Sequence, residues 1–417
     1  MIRVLVKGPI FSQSGYGEHA RLVYRALRSR PEKFDIYIVP IEWGMSNWPL
    51  DTGDKETTEI LQAMNKTAQC NGQFDISLQV TVPTEWEPHA TYNIGVTAGI
   101  ETDKMSPEWL QACNQVDQVI VVSEHGKTSM INTSYPFKDD KTGESGIMKC
   151  TVPVEVIGYP VKEHKKINLD IDLSTKFNFL AVAQISPRKN VGVMVKEFLE
   201  EFHNDDEVGL ILKFHTFNNS SIDKDVTEAK LQSWCNRYPD RKCKVYSVHG
   251  NLDESELHAL YTHPDIKAYV TTTHGEGYGL PVFEAAYSGL PVVAPAWSGQ
   301  VDFLYAPVKN PTSGKVKRSP LFTKIKYELK SVQEAAVWKG VINADTKWCY
   351  VDPSAYRKAL RNVYDAHRSK VRLASQLQKY LKKSFSEEVI YKKYTDIVEA
   401  ADTTDEEIED LFSQLEI

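Results

Sequence analysis

The chain has 417 residues, of which 41% are hydrophobic and 25% carry a charge. This length exceeds what one hydrophobic core supports, so the sequence predicts two folded domains of ordinary size and excludes an intrinsically disordered chain. No stretch approaches the roughly 20 consecutive apolar residues that a transmembrane helix needs. The first residues enter a strand pattern at once, so we expect no signal peptide.

The net charge of −7 belongs to the C-terminal tail. From Glu399 to Ile417 there are eight acidic residues and no lysine or arginine, which leaves 49 basic against 48 acidic side chains elsewhere. Within this neutral body, a basic insert occupies about residues 305–345, and three arginines at helical spacing occupy the first helix: Arg21, Arg25 and Arg28. Solvated faces are the default interpretation, and the basic insert is the stronger candidate for contact with an anionic partner.

The six cysteines are scattered, with no Cys-x-x-Cys pair and no clustering with histidine. This pattern predicts reduced thiols, a cytoplasmic location and no zinc site.

The first half of the chain alternates short apolar runs with helical patterns. The spacing predicts strands at residues 4–7, 35–40, 75–79, 92–96, 118–122 and 154–157, with helices at 16–28 and 107–114. A charged linker at 162–176 follows. We therefore expect a first Rossmann-like domain at residues 1–162.

The pattern then restarts. Strands are predicted at residues 179–183, 209–214, 245–248, 268–273 and 291–294, and helices at 191–202, 226–238, 281–288, 353–366 and 372–383, with one more opened by the capping pair Asp253 and Glu256. These elements predict a second Rossmann-like domain at 163–385. A helix at 387–400 and an acidic tail make up the last unit, 386–417.

The most informative span begins at His274 and reads HGEGYGLPVFEAAYSGLPVVAP. Pro281 suits the first turn of a helix, and Gly277 and Gly279 form the loop that enters it. Backbone N–H groups at such a helix start favour a phosphate. The two carboxylates of the span, Glu276 and Glu284, each suit a vicinal diol, because a carboxylate accepts two hydrogen bonds.

This span resembles the donor-site signature of the retaining glycosyltransferases of family 4. The resemblance implies the α/β GT-B fold, in which two Rossmann-like domains face a cleft and the last helix crosses back to the first domain. It also implies that Glu276 contacts the sugar of a nucleotide-sugar and Glu284 its ribose. The loop between them would complete the donor site: Gly277, Tyr278, Gly279 and Leu280.

Two cations follow the first strand of the second domain, where the family holds the donor diphosphate. Lys189 matches the family lysine. The family arginine usually lies several residues earlier, nearer Gln184, so Arg188 takes its place here as a substitution. Both cations would stabilise the charge on the leaving nucleoside diphosphate.

Gly15 and Gly17 occur in a G-x-G-x-x-A pattern that is also found in dinucleotide-binding loops. Seven residues separate Lys7, at the end of the first strand, from Gly15, whereas a Rossmann glycine turn follows its strand directly. We therefore reject a dehydrogenase. In the family the corresponding loop lines the cleft, and the two glycines allow close backbone approach.

On the acceptor side, Glu101 falls where many family members carry a histidine or an acid, and it would orient the acceptor hydroxyl. His125 and His274 are further cleft-side candidates. Asp170 and Asp172 form an Asp-x-Asp pattern in the linker and receive no role, since GT-B enzymes do not generally need a metal held by such a motif. We expect no metal and no cofactor besides the donor substrate.

The predicted function is a retaining, metal-independent transfer of a sugar, most simply from a UDP-hexose, to a hydroxyl of a saccharide or lipid-linked acceptor. One alternative is a viral enzyme that glycosylates hydroxymethylated bases in DNA, which the basic insert motivates. The other is a non-catalytic protein that binds sugar nucleotides or a partner.

The acidic tail carries a capping pair, Thr404 and Glu407, followed by an apolar stripe at helical spacing: Ile408, Leu411, Phe412 and Leu415. A helix this short is marginal alone, so we expect it to dock either on the protein's own surface or in the groove of a protein partner.

Overall fold

A computed structural model describes residues 1–44, 46, 51, 53–138, 143 and 145–402. The predicted tail helix lies outside the described residues.

The first domain is built on a six-stranded parallel sheet. Its strands in chain order are β1 (Ile2–Gly8), β2 (Phe34–Pro40), β3 (Ile76–Val80), β4 (Tyr92–Thr97), β5 (Gln118–Val121), β6 (Ser134–Lys138), β7 (Ser145–Lys149) and β8 (Val154–Val156). Its helices are α1 (Gly15–Arg28), α2 (Lys55–Ala68), α3 (Pro107–Cys113) and α4 (Glu124–Asn132). The sheet runs in the order β2-β1-β3-β4-β5-β8, and β6 and β7 form a separate antiparallel hairpin.

The second domain repeats this architecture. Its strands are β9 (Phe177–Gln184), β10 (Val208–His215), β11 (Lys244–Val248), β12 (Ile266–Val270), β13 (Val292–Pro295), β14 (Tyr305–Lys309), β15 (Val316–Pro320), β16 (Thr323–Ile325), β17 (Tyr327–Ser331) and β18 (Lys347–Val351). Its helices are α5 (Val191–Glu201), α6 (Ser221–Cys235), α7 (Glu254–Tyr261), α8 (Leu280–Tyr287), α9 (Val301–Leu304), α10 (Pro353–Asp365) and α11 (His367–Ser384). The parallel sheet order, β11-β10-β9-β12-β13-β16, is the 3-2-1-4-5-6 order of the Rossmann fold.

The basic insert is not one separate segment, because part of it forms a hairpin and part of it joins the main sheet of the second domain. β14 and β15 pair as an antiparallel hairpin, but β16 pairs in parallel with β13 and completes the main sheet. β17 then pairs in antiparallel fashion with β18, which follows the insert in the chain. The sequence did not predict β16, because an edge strand of three residues shows little periodicity.

The last helix, α12 (Glu387–Ala401), crosses back to the first domain and packs against α1, as predicted. The buried ring of His19 in α1 shares a 2.8 Å hydrogen bond with the hydroxyl of Tyr394. Nearby, the Lys33 ammonium lies 2.5 Å from the Glu399 carboxylate. One buried hydrophobic cluster is also continuous across both domains, with Tyr159 and Tyr278 in ring contact at 5.0 Å between centroids.

Two helices of the first domain are absent from the sequence prediction. α2 fully buries Ile60 alone, and its other apolar residues, Leu61, Ala63 and Met64, are only partly buried, although its N-terminus is capped by Asp54. α4 begins after Ser123, whose hydroxyl accepts from the backbone of Gly126. Both helices start at capping residues, which were the available signals.

Candidate functional site

A cleft of about 770 Å³ lies between the two domains. Segments that follow strands β1, β2 and β4 form one wall, and segments that follow β9, β10 and β12 form the other. The cleft therefore meets the carboxyl ends of both parallel sheets, which is where ligands bind in folds of this kind.

The centre of the cleft is a buried ionic cluster around Glu276. The Lys189 ammonium lies 2.6 Å from one carboxylate oxygen, and a guanidinium nitrogen of Arg188 lies 2.9 Å from the other. Arg188 also donates to the carbonyl of Gly275 at 2.6 Å. Burial by itself raises the pKa of Glu276, but the two cations outweigh it and lower that pKa to about 2. Glu276 is therefore an anion held between two cations.

Local backbone structure places these groups. Pro187–Lys189 form a 3-10 turn after β9, and Asn190 then adopts a left-handed conformation with φ of 52° before α5 begins. On the same domain, the Glu276 backbone donates to the hydroxyl of Ser298 at 2.8 Å. Gly277 contacts the first domain so closely that a Cβ there would lie 1.7 Å from the carbonyl oxygen of Ala98. Glycine is thus required where the loop of residues 277–279 meets the other domain.

Glu284 projects from α8 toward the same cleft. The helix starts after Gly279, which has φ of 96°, and Pro281 lies in its first turn. The Tyr261 hydroxyl donates to Glu284 at 3.0 Å. Burial raises the pKa of Glu284 to about 7, against the opposing effect of that hydrogen bond. Glu284 thus changes charge near neutral pH.

The remaining predicted donor residues lie at the same place, with one difference. Tyr278, Gly279, Leu280 and Gly15 line the cleft together with Glu276, Gly277 and Glu284. Gly17 is buried beneath it, where a Cβ would lie 2.0 Å from the carbonyl oxygen of Ser12. Gly17 therefore allows the close packing of the loop backbone and does not line the cavity, whereas Gly15 does.

Glu101 lines the first-domain wall, and its carboxylate lies 3.6 Å from the Nε of Arg188. It thus connects the first-domain wall to the ionic cluster. The two candidate histidines lie elsewhere in the described structure. His125 packs on Trp297, and His274 stacks on Trp348 while its Nδ1 lies 2.6 Å from the carbonyl of Cys349.

Sequence reasoning missed a second ionic cluster in the cleft. Lys162, which begins the predicted linker, lies 2.6 Å from Glu18 of α1 and 2.7 Å from Glu254 of α7. Burial lowers the pKa of Lys162, but the two carboxylates outweigh it and raise that pKa overall. No motif marks this lysine, because its partners come from different domains.

The arginine face of α1 is ion-paired. The Arg25 guanidinium lies 2.7 Å from the Glu56 carboxylate, and the Arg28 guanidinium lies 2.8 Å from the Glu59 carboxylate. Both of these acids belong to α2. Arg21 donates to backbone carbonyls of the loop that precedes α1 and to Glu18. All three arginines are therefore paired with groups of the first domain itself.

Within the described part of the chain, no group of three or more histidine, cysteine, aspartate or glutamate side chains is arranged to hold a metal ion. The same residues include no helix with the length and apolar character needed to cross a membrane. All six cysteines are unpaired thiols.

No protein-family profile matches the chain, and a search among curated proteins finds no match. Solved structures do resemble it. A sucrose-phosphate synthase from Thermosynechococcus elongatus has a TM-score of 0.60 at 13% identity, with 96% of this chain and 99% of the other covered. Anabaena HepE, in complex with UDP and glucose, has a TM-score of 0.53 at 12% identity, with 96% and 100% covered. The lipopolysaccharide outer core galactosyltransferase WaaB, in its apo form, has a TM-score of 0.55 at 10% identity, with 96% and 99% covered.

The chain has the GT-B fold. Identities this low establish the architecture alone, and the full coverage shows that both domains and the crossing helix belong to it. The predicted fold class is thereby confirmed.

Proposed function

We propose that this protein is a glycosyltransferase that moves a hexose from a UDP-sugar to a hydroxyl group of an acceptor. The observation that carries the proposal is the convergence of Lys189, Arg188, Glu276 and Glu284 in one interdomain cleft. Two cations at the end of β9 suit a diphosphate, and two carboxylates suit sugar and ribose hydroxyls. The UDP and glucose held by HepE, and the galactosyltransferase activity named for WaaB, support this choice of substrate class.

In the proposed complex the donor diphosphate receives hydrogen bonds from Lys189 and Arg188. Glu276, which both cations contact in the structure, then accepts from sugar hydroxyls, and Glu284 accepts from the ribose. Glu101 orients the acceptor hydroxyl from the facing wall. These groups position the reactants and stabilise the charge that develops on the leaving diphosphate.

We further propose that the reaction retains the configuration of the sugar and needs no metal. The bond from the acceptor oxygen to the anomeric carbon forms on the face that the diphosphate leaves, and the acceptor proton passes to the departing phosphate oxygen. The protein then needs no separate base, and Lys189 and Arg188 supply the positive charge.

A panel of UDP-, GDP- and ADP-sugars tests the donor assignment by thermal shift, because a ligand that binds the folded state raises the melting temperature. We expect stabilisation by UDP-sugars, and a smaller shift for Glu284→Ala. Glu334→Ala, at an exposed position of the insert, is the matched control and should behave as wild type. Equal shifts for all nucleotides, or none, would reject the donor assignment.

Modification of DNA gains no support from the position of the basic insert. None of its described lysines lines the cleft, and Arg318 is engaged with the carbonyl of Asp302 at 2.6 Å. A non-catalytic sugar-nucleotide-binding protein would show the same thermal shifts, so release of UDP separates it from an enzyme. The cytoplasmic location remains a prediction that rests on the scattered thiols.

A further inference from the structure

The first-domain wall of the cleft carries an aromatic pair that the donor assignment does not use. Trp43 follows β2 and packs on Tyr16 at the start of α1, with 4.3 Å between ring centroids and 36° between ring planes. Both side chains line the cleft, and Trp43 is partly exposed there. A partly exposed aromatic ring is suited to stack on the apolar face of a sugar ring.

This pair is held from several sides. The Tyr16 hydroxyl lies 2.8 Å from the hydroxyl of Thr97, at the end of β4. The Ser46 hydroxyl donates to the carbonyl of Trp43 at 2.7 Å and lies 2.6 Å from the hydroxyl of Ser12. These hydrogen bonds anchor the Tyr16 side chain and the backbone of Trp43, which reduces the conformational entropy lost when a ligand stacks on the pair.

Polar groups surround the aromatic pair in a pattern that suits hydroxyl groups. Gln13, Ser14, Ser46 and Glu101 line the same wall. Amide, hydroxyl and carboxylate groups supply both donors and acceptors, and an acceptor hydroxyl needs both. Glu101 also contacts Arg188 across the cleft, so this wall lies next to the proposed donor site.

The charge of this wall disfavours an anionic acceptor. Two cations line it among the described residues. Arg21 is already bonded to two carbonyls and to Glu18. Lys162 is paired with Glu18 and Glu254. The carboxylates that line this wall are those of Glu18 and Glu101. A phosphorylated sugar or a DNA backbone would meet carboxylates here, together with cations that already pair with carboxylates of the protein.

We propose that the wall formed by Trp43, Tyr16, Ser46, Gln13 and Glu101 is the acceptor subsite, and that its ligand is a neutral saccharide stacked on Trp43. This inference rests on the proposed function, because it takes the facing wall as the donor site. It assigns the acceptor class that the donor residues leave open.

The test uses the full chain saturated with UDP, whose binding is first measured by calorimetry. Saturation-transfer difference NMR then titrates methyl glycosides of glucose, galactose, mannose and N-acetylglucosamine, with glucose 6-phosphate and a hydroxymethylcytosine duplex as charged competitors. The variants are Trp43→Ala and Trp43→Phe. Trp338→Ala is the matched control, since Trp338 is 63% exposed and does not line the cleft.

We expect at least one neutral glycoside to bind wild type and Trp338→Ala alike. Trp43→Ala should weaken it about fivefold, and Trp43→Phe less than about threefold, because phenylalanine keeps a stacking face. UDP affinity should be unchanged in all variants. Melting temperatures confirm that each variant is folded.

Failure of UDP to bind wild type would reject the proposed function itself. If UDP binds but no glycoside does, the acceptor inference fails and the donor assignment stands. The inference is also overturned if Trp43→Ala leaves glycoside affinity unchanged, or if glucose 6-phosphate or the duplex binds more tightly than every neutral glycoside.

Discussion

Glu276 and Glu284 lie in one cleft but ionise differently, because their partners differ. Glu276 lies between Lys189 and Arg188 and stays charged despite burial. Glu284 accepts instead from the neutral hydroxyl of Tyr261, so burial dominates and its pKa rises to about 7. A raised pKa means that the folded protein resists ionising Glu284, so this group's contribution to stability is lost as pH rises from its unfolded value toward 7.

Glu284 should therefore make donor binding depend on pH. If ribose hydroxyls donate to the carboxylate, binding requires its ionised form, and UDP-glucose affinity should rise as pH increases through about 7. Between pH 8 and pH 6 the dissociation constant should increase by about tenfold, since each pH unit below the pKa costs close to a factor of ten. UDP-glucose serves as the ligand because its diphosphate does not titrate in this range. Calorimetry on Glu284→Gln should give weaker and pH-independent binding; an equal pH slope in that variant would contradict the ribose assignment.

Among the elements, α12 is the clearest case of a segment stabilised by a distant partner. Tyr394 is fully buried and shares its hydroxyl with His19 of α1. Burial lowers the pKa of His19 to about 3, so the ring is neutral at ordinary pH. The pair therefore acts as a hydrogen bond between neutral groups and not as a salt bridge.

Tyr394→Phe should lower the free energy of unfolding by about 1–3 kcal/mol, because it leaves a buried ring nitrogen of His19 without its partner. Lys392→Ala on the same helix is the control. Its ammonium pairs with Asp396 at an exposed site and should contribute less than about 0.5 kcal/mol. Urea denaturation measures both; equal effects would show that the His19 contact does not hold α12 in place.

The sequence identified elements that have strong local signals. The helix entered by Gly279 and Pro281 begins one residue before its predicted start at Pro281, because the glycine and proline fix its N-terminus locally. α2 and β16 escaped prediction, since one has a single buried residue and the other has three residues in all. The sequence also placed Glu276 and Glu284 close together for the same reason, and both line the cleft. Trp43 and Lys162 were not, because their significance depends on partners far away in the chain.

In the whole molecule, several contacts join the domains around the cleft. Lys162 bridges Glu18 and Glu254, and a carboxylate oxygen of Asp302 accepts from the backbone of Glu124 at 2.7 Å. The first bridge lines the cavity, so a ligand that binds there can change the contact between the domains.

Lys162→Ala should open the cleft. Without the lysine, the carboxylates of Glu18 and Glu254 lose their shared cation, and the two domains lose a contact at the cavity. Small-angle scattering should give a larger radius of gyration for the variant than for wild type, and saturating UDP-glucose should reduce the difference. Lys166→Ala, an exposed change in the same segment, is the control. Superimposable curves for all three proteins would count against a closing function for Lys162.

We propose that the cleft catalyses transfer from a UDP-sugar and uses Lys189 to stabilise the leaving diphosphate. Release of UDP from a UDP-hexose at saturating donor, with excess EDTA present, tests it most directly. Wild type should release UDP, Lys189→Ala should be slower by about 10² or more, and the exposed Lys330→Ala should match wild type. Undiminished UDP release by Lys189→Ala, or complete loss of wild-type activity in EDTA that Mg²⁺ restores, would contradict the account.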